Sequence, residues 1–344
     1  MFDLTNINFV LILFEGVLFQ KAFSQKRKFP LVLVSLQLIL LLGMRNISVG
    51  GDSSTYDSLF RHVVNGGTVG YFEIGNRIVF SAIANIWPST VALFLVYAIL
   101  TVVPIAYVAY KQSENIWFSM MIYAGFMYYY WAFNAMRQAV AMSIEMLAIY
   151  SLNKNRKIAF FLFSLVAISF HSSAVIILLC YFINNMKIKN RNRLTIVVFL
   201  SLVGVLFGRR FMYIIGTLFS KYLDYMDGFY FSSGNWLHPI LYAMIFCFAM
   251  LVKDDYENLE LYSNMLGIGV ILYFLATQVK VVNRLTYYFT MPAMIILLPN
   301  IINSLSKNNK KIAKALFYSG ISVYQLLLII SNGQGIIPYR FFWQ

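Results

Sequence analysis

Long apolar runs, each closed by a short polar or basic segment, recur along nearly the whole chain. They fall at residues 6–22, 29–44, 89–110, 115–133, 136–152, 157–170, 172–185, 194–208, 236–252, 261–279, 285–304 and 312–330. A helix needs about 20 apolar residues to cross a hydrocarbon core of about 30 Å, and most of these runs reach or approach that length. The pattern predicts an all-α polytopic membrane protein, with residues 1–344 as a single integral membrane domain. The first run lacks a basic flank before it and a small-residue cleavage site after it, and it holds Glu15. It reads as a retained helix, not a signal peptide.

Basic residues orient the spans. Clusters occur at Lys21/Lys26/Arg27/Lys28, Lys154/Arg156/Lys157, Lys187/Lys189/Arg191/Arg193 and Lys307/Lys310/Lys311/Lys314. The positive-inside rule places all four in the cytoplasm, which requires an even number of crossings between each pair. Between Gly43 and Lys111 only one full crossing is then allowed. Segment 74–87 is short, carries Asn76, Arg77 and Asn85, and stops at Pro88. It is therefore expected to be a re-entrant or in-plane helix on the outer side, covered by protein or a watery cavity. The short pair 157–170 and 172–185 must both cross, through a thinned or shielded region. The expectation is about 12 transmembrane helices with both termini outside, and outer loops about 45–88 and 209–235 forming part of a substrate cavity.

Composition narrows the function. The chain is 60% hydrophobic and 12% charged, against about 25% charged residues in soluble domains. Its formal net charge is +14, but no soluble basic domain exists to hold nucleic acid. Cys180 and Cys247 both lie in apolar segments, so a disulfide or catalytic thiol is not expected. The three histidines, His62, His171 and His238, are scattered without metal-ligand spacing, and no metal site is predicted.

Of the 27 Lys+Arg, 17 fall on the cytoplasmic side under this topology, 13 of them lysine. The other 10 fall outside, and eight are arginine: Arg45, Arg61, Arg77, Arg137, Arg209, Arg210, Arg284 and Arg340. Topology accounts for the lysines. It does not account for outer arginines at the ends of apolar helices. A guanidinium fork grips phosphate or carboxylate in two places, so the outer face is expected to bind an anionic, phosphate-bearing ligand.

Several constellations could carry that chemistry. In the first outer loop, Gly50 and Gly51 permit a tight turn. Asp52 is expected to cap a helix with apolar positions Leu59, Val63 and Val64. A functional alternative has Arg45 gripping phosphate while Asp52 or Asp57 orients a sugar hydroxyl. Arg137 begins an inward span at a helix N-terminus, which already attracts anions. Glu145, two turns on, is expected to be a structural partner for another helix. His171 sits at an outer turn, where it either caps a helix end or does acid/base work. Asn283-Arg284 opens another inward span, and Arg209-Arg210 is expected to end an outward one. The C-terminal aromatics suit an interfacial anchor or sugar stacking.

In order along the chain come Arg45 with Gly51-Asp52 and Tyr56, then Tyr71-Phe72-Glu73, Met136-Arg137-Gln138, Phe170-His171-Ser172-Ser173, Asn283-Arg284 and Pro338-Tyr339-Arg340. This series resembles the EpsG/Wzy-type polysaccharide polymerases of bacterial envelopes. The resemblance implies a multi-pass protein of the bacterial cytoplasmic membrane whose active site faces the periplasmic side. It implies transfer of a glycan from undecaprenyl diphosphate to the non-reducing end of a lipid-linked repeat unit, with no cofactor. Candidate bases are His171, Asp52 and Glu73. Candidate ligands for diphosphate and sugar are Arg45, Arg137, Gln138, Arg284, Arg210, Tyr56, Tyr339 and Arg340. A chain-length regulator is a candidate partner beside the lipid-linked substrate and membrane lipid. An O-antigen ligase or other lipid-linked-sugar transferase would use much the same site. A lipid-linked oligosaccharide flippase is the different-class alternative, but it should place charges along a path through the membrane, whereas here they crowd one side.

Overall fold

The computed structural model describes residues 28–218, 231–252, 259–332 and 334–344. The expected first span, 6–22, and the centre of the outer loop 209–235 lie outside the described residues. The regular structure described is helical, apart from an isolated antiparallel bridge between Arg45 and Phe341. The helices group into two units. One comprises Met1–Val175 with Ile302–Gln344, the other Ile176–Ile301.

The first unit opens with α1 (Lys28–Gly43), α2 (Ser53–Val64), α3 (Ile74–Ile86) and α4 (Thr90–Gln112). It continues with α5 (Ile116–Gly125), α6 (Met127–Trp131), α7 (Met136–Asn153) and α8 (Lys157–Phe170). α7 is buried on nearly every face, from Met136 to Leu152. An apolar helix buried all round is a central one, and α4 and α8 pack against it. Glu145 on α7 is fully buried, and neither of its oxygens has a hydrogen-bond partner among the described residues. The expected partner on another helix is therefore not seen.

The long run 115–133 is two helices rather than one. Phe126 takes an extended conformation (φ −90°, ψ 176°) and breaks it into α5 and α6. Buried tyrosines on the α6 side find backbone and amide partners. Tyr129 donates to the Leu38 carbonyl at 2.8 Å, and Gln325 donates to the Tyr130 hydroxyl at 2.6 Å.

α2 follows the loop after α1 as expected, but its buried face is Ser53, Tyr56, Asp57 and Phe60. Leu59 and Val63 are only partly buried and Val64 is exposed. Aromatic packing on Phe72 and Phe80 chose that face (Phe60–Phe80, 5.8 Å; Phe72–Phe80, 5.5 Å). α3 has 13 residues, about 20 Å of helix at 1.5 Å per residue, which is too short to cross a core of about 30 Å.

The second unit holds a 3₁₀ turn (Ser172–Leu178, shared with the first unit at its start), α9 (Leu179–Ile183) and α10 (Asn190–Leu218). It continues with α11 (Leu237–Leu251), α12 (Glu260–Ala276) and α13 (Asn283–Pro292). A π-helical turn, Ala293–Leu297, leads into α14 (Leu298–Ser304). Segment 172–185 is thus a 3₁₀ stretch followed by one short α-helix, not a single spanning α-helix. α10 runs two turns past Arg209-Arg210, so these arginines do not end it. Val198, Phe199, Leu202, Leu206 and Phe207 are exposed along α10, the surface a lipid-facing helix presents. At its N-terminal end Arg193 ties the unit together. It donates to Asn264 Oδ1 at 2.9 Å and Asn190 Oδ1 at 2.8 Å, and it pairs with Glu260.

α15 (Lys307–Ser331) returns to the first unit and packs on α5 through Phe118 against Tyr318 (5.4 Å). Among the described residues three helical stretches are long and apolar enough to cross a membrane: Thr90–Gln112, Asn190–Ile214 and Lys280–Ser304. The shorter apolar helices run 10–17 residues. The molecule is a helical membrane protein, but a count of twelve full-length spans does not emerge from these helix lengths.

Candidate functional site

Glu73 occupies the N-cap position of α3, yet its side chain makes no capping hydrogen bond. It turns outward instead. Oε1 accepts from the Ser172 backbone N–H at 3.1 Å and lies 3.3 Å from His171 Nδ1. Oε2 accepts from Arg137 Nη1 at 2.6 Å and from Asn76 Nδ2 at 3.3 Å. One carboxylate thus joins three segments that are far apart in sequence.

The approach depends on two neighbours in α3. Gly75 lies so close to the end of α8 that a Cβ there would sit 2.7 Å from Ser169 Oγ and 2.8 Å from the Ser169 carbonyl oxygen. Asn76, fully buried, donates to the Phe170 carbonyl at 2.6 Å and accepts from the Tyr97 hydroxyl at 2.7 Å. These contacts lock the start of α3 against His171.

Arg137 stands in the first turn of α7. Its guanidinium lies 4.1 Å from the Phe72 ring centroid, a cation–π distance, and it donates to Glu73, with the Tyr56 hydroxyl beside it. Its Nε is buried and has no hydrogen-bond partner among the described residues. A buried N–H without an acceptor is costly, and an anion arriving beside it would remove that cost.

The electrostatics of Glu73 are set by competition. Burial alone would raise its pKa. Hydrogen bonds from His171, its own backbone and the Ser172 N–H, together with the charge of Arg137, outweigh burial and bring it down to about 2. Glu73 is an anion at every physiological pH and a weak proton acceptor. The Tyr56 phenol is shifted up by burial, with Arg137 partly opposing.

Of the residues singled out from the sequence, Glu73, Arg137, His171 and Tyr56 come together here. Gln138 is buried beside them in sequence and accepts from the Trp131 indole at 3.2 Å. Arg45 does not face an open site. It is 1% exposed; Nε donates to Ser53 Oγ at 3.0 Å, Nη1 to the Leu42 carbonyl, and Nη2 to the Phe133 carbonyl at 3.5 Å. It also lies 4.0 Å from the Phe94 ring centroid, and burial lowers its pKa to about 10. Tyr339 is likewise interior, donating to the Leu41 carbonyl at 2.7 Å. Arg340 is exposed, while its backbone carbonyl accepts from the Asn46 N–H at 2.9 Å. Asp52 is exposed and makes no capping hydrogen bond, so the expected N-cap is absent. Arg284, partly buried, begins α13, and Arg210 is exposed on α10; both belong to the second unit.

The first-unit arginines expected on the outer side therefore do not converge as one clamp. Arg45 is an internal strut, Arg61 pairs with Asp57 at 2.9 Å, Arg77 is exposed, and Arg137 meets Glu73. Sequence reasoning missed the parts played by Asn76, Tyr97, Gly75 and the Ser172 N–H. An acid three residues before an amide at the start of an apolar helix was the one local signal available. A family model described as "EpsG family" matches residues 28–341. Neither the curated proteins nor the solved structures contain a match.

Proposed function

The chain belongs to the EpsG family over nearly its whole length, and from that premise we propose that it is a membrane polysaccharide polymerase. It transfers a growing glycan from undecaprenyl diphosphate to the non-reducing end of a lipid-linked repeat unit at the outer face of the bacterial cytoplasmic membrane. The observation that carries this reading is the Glu73–His171–Arg137 cluster.

Glu73, held as a carboxylate, faces His171 Nδ1. The imidazole proton then resides on Nδ1, and Nε2 keeps its lone pair as the base. In the proposed step the acceptor hydroxyl oxygen attacks the anomeric carbon as its proton passes to Nε2. The bond from that carbon to the diphosphate oxygen breaks, and its electron pair leaves with the lipid diphosphate. Direct displacement inverts the anomeric configuration. Arg137, with its unmatched Nε, meets the negative charge that grows on the leaving group. Glu73 is the orienting residue in this scheme, because a carboxylate at about 2 is a poor base at neutral pH. Holding two lipid-tethered substrates side by side supplies much of the remaining acceleration.

Gel analysis of the surface polysaccharide tests the reading. His171→Ala should lose about 10²–10⁴-fold in transfer rate, the usual worth of a positioned base, and leave single repeat units. Arg137→Lys should do the same, because an ammonium cannot replace the fork. Full-length polymer from both variants would remove the proposal; loss of all surface glycan would point to transport instead.

A further inference from the structure

α2 has two working faces. Tyr56 turns toward Arg137, while Asp57, Arg61 and Val64 line a cavity of about 490 Å³ on another side of the helix. That volume lies within the range of about 300–1,000 Å³ typical of small-ligand clefts. We propose that this cavity is a saccharide subsite, holding a sugar ring of the glycan at a distance from the reacting carbon; the inference rests on the polymerase reading.

The lining fits a neutral polyol. Asp57 is buried, and its carboxylate accepts from Arg61 Nε at 2.9 and 3.1 Å and from the Thr90 hydroxyl. Arg61 spends only Nε on that pair among the described residues, and its side chain is 69% exposed, so both Nη groups stand at the rim. Asn46 and Asn65 add amides that both donate and accept. Phe342, 43% exposed, supplies an aromatic wall. The C-terminal segment fixes that wall, with the Phe342 N–H donating to the Met44 carbonyl at 2.9 Å.

An anion fits less well. Arg45 also lines the cavity, but its donors are spent on Ser53, Leu42 and Phe133. The Asp57 carboxylate offsets Arg61. A lipid chain would want continuous apolar lining, which the amides and the ion pair interrupt. Tyr56 and Asp57 are consecutive on one helix and point about 100° apart, and none of Tyr56, Glu73, Arg137 and His171 lines the cavity. A ring seated there belongs to a sugar other than the one reacting. Such a grip would keep the growing chain from leaving between additions.

The test uses Val64→Trp, which projects an indole into the cavity, and Arg61→Ala, which removes the exposed guanidinium at its rim. Both should give short chains of several units rather than single units or full-length polymer. The binding probe is the oligosaccharide released from the cell's own surface polysaccharide by mild acid, titrated calorimetrically into the purified full-length protein. Both variants should bind it about tenfold more weakly, the worth of one or two lost hydrogen bonds, while still unfolding cooperatively. Wild-type chain length and affinity in Arg61→Ala overturn the subsite even if Val64→Trp does not fold. Displacement of the probe by inorganic pyrophosphate overturns it in favour of an anion site. The companion variant Glu73→Gln separates the two levels. Single units from it, with full-length chains from both cavity variants, reject the subsite alone. Full-length polymer from Glu73→Gln sinks the polymerase reading and the subsite with it.

Discussion

Glu73 receives donors on both oxygens, and its behaviour with pH follows from that. Its folded-state pKa, about 2, lies below the ordinary value of 4.5. A depressed carboxylate stabilises the fold fully above its unfolded pKa and loses that contribution as pH falls toward the folded value. Glu73→Gln removes charge-assisted hydrogen bonds and should cost about 1–3 kcal/mol at neutral pH. The gap in unfolding temperature between wild type and Glu73→Gln should be flat at neutral pH and narrow as pH drops from 4.5 toward 2. A gap unchanged across that window would mean that the carboxylate is not held as an ion. Arg45 teaches the complementary lesson at this scale. It is the same residue type as Arg137 and lies in the same unit, but burial among carbonyls makes it a strut.

The short helix α3 matters because of what its first turn touches. Gly75 is the point of closest approach to Ser169, and Asn76 bonds the end of α8. Gly75→Ala should force α3 off α8, at about 1–3 kcal/mol for an overpacked contact, and shorten the polymer by loosening Glu73 from His171. Gly70→Ala, where an added Cβ meets nothing within 4 Å, is the control and should change neither unfolding temperature nor chain length. An equal loss from both would show that the α3–α8 contact is not what positions the cluster. Gly50 plays a similar part in the first loop. Its φ of +89° and the Phe133 carbonyl 2.6 Å from a would-be Cβ leave no room for a side chain.

On the largest scale, the C-terminal segment of the first unit closes on the loop after α1. The segment after α15 pairs with the loop after α1: Gly50 N–H to the Gly335 carbonyl at 2.8 Å, and Asn46 N–H to the Arg340 carbonyl at 2.9 Å. The Arg45–Phe341 bridge lies between these contacts. The C-terminal aromatics are therefore part of the architecture of the loop after α1. α3, about 20 Å long, leaves α4 as the helix between Gly43 and Lys111 long enough to cross. A reporter fused after Lys111 should accordingly report cytoplasm; an external signal there would overturn both the in-plane placement of α3 and the topology drawn from the basic clusters.

The residue pattern by itself determined the helical membrane class, the brevity of segment 74–87 and, through short motifs in order, the family. These properties are local: helix formation, hydropathy and motif order are read within a few turns of chain. Only tertiary packing decided which arginine meets a carboxylate and which becomes a strut, and where runs 115–133 and 172–185 break. It also decided that Asp52 caps nothing. The residues joined at Glu73 lie 64 and 98 positions away from it. No periodicity spans such separations; packing of α3, α7 and α8 selects those pairs, by burying polar groups only where a partner waits.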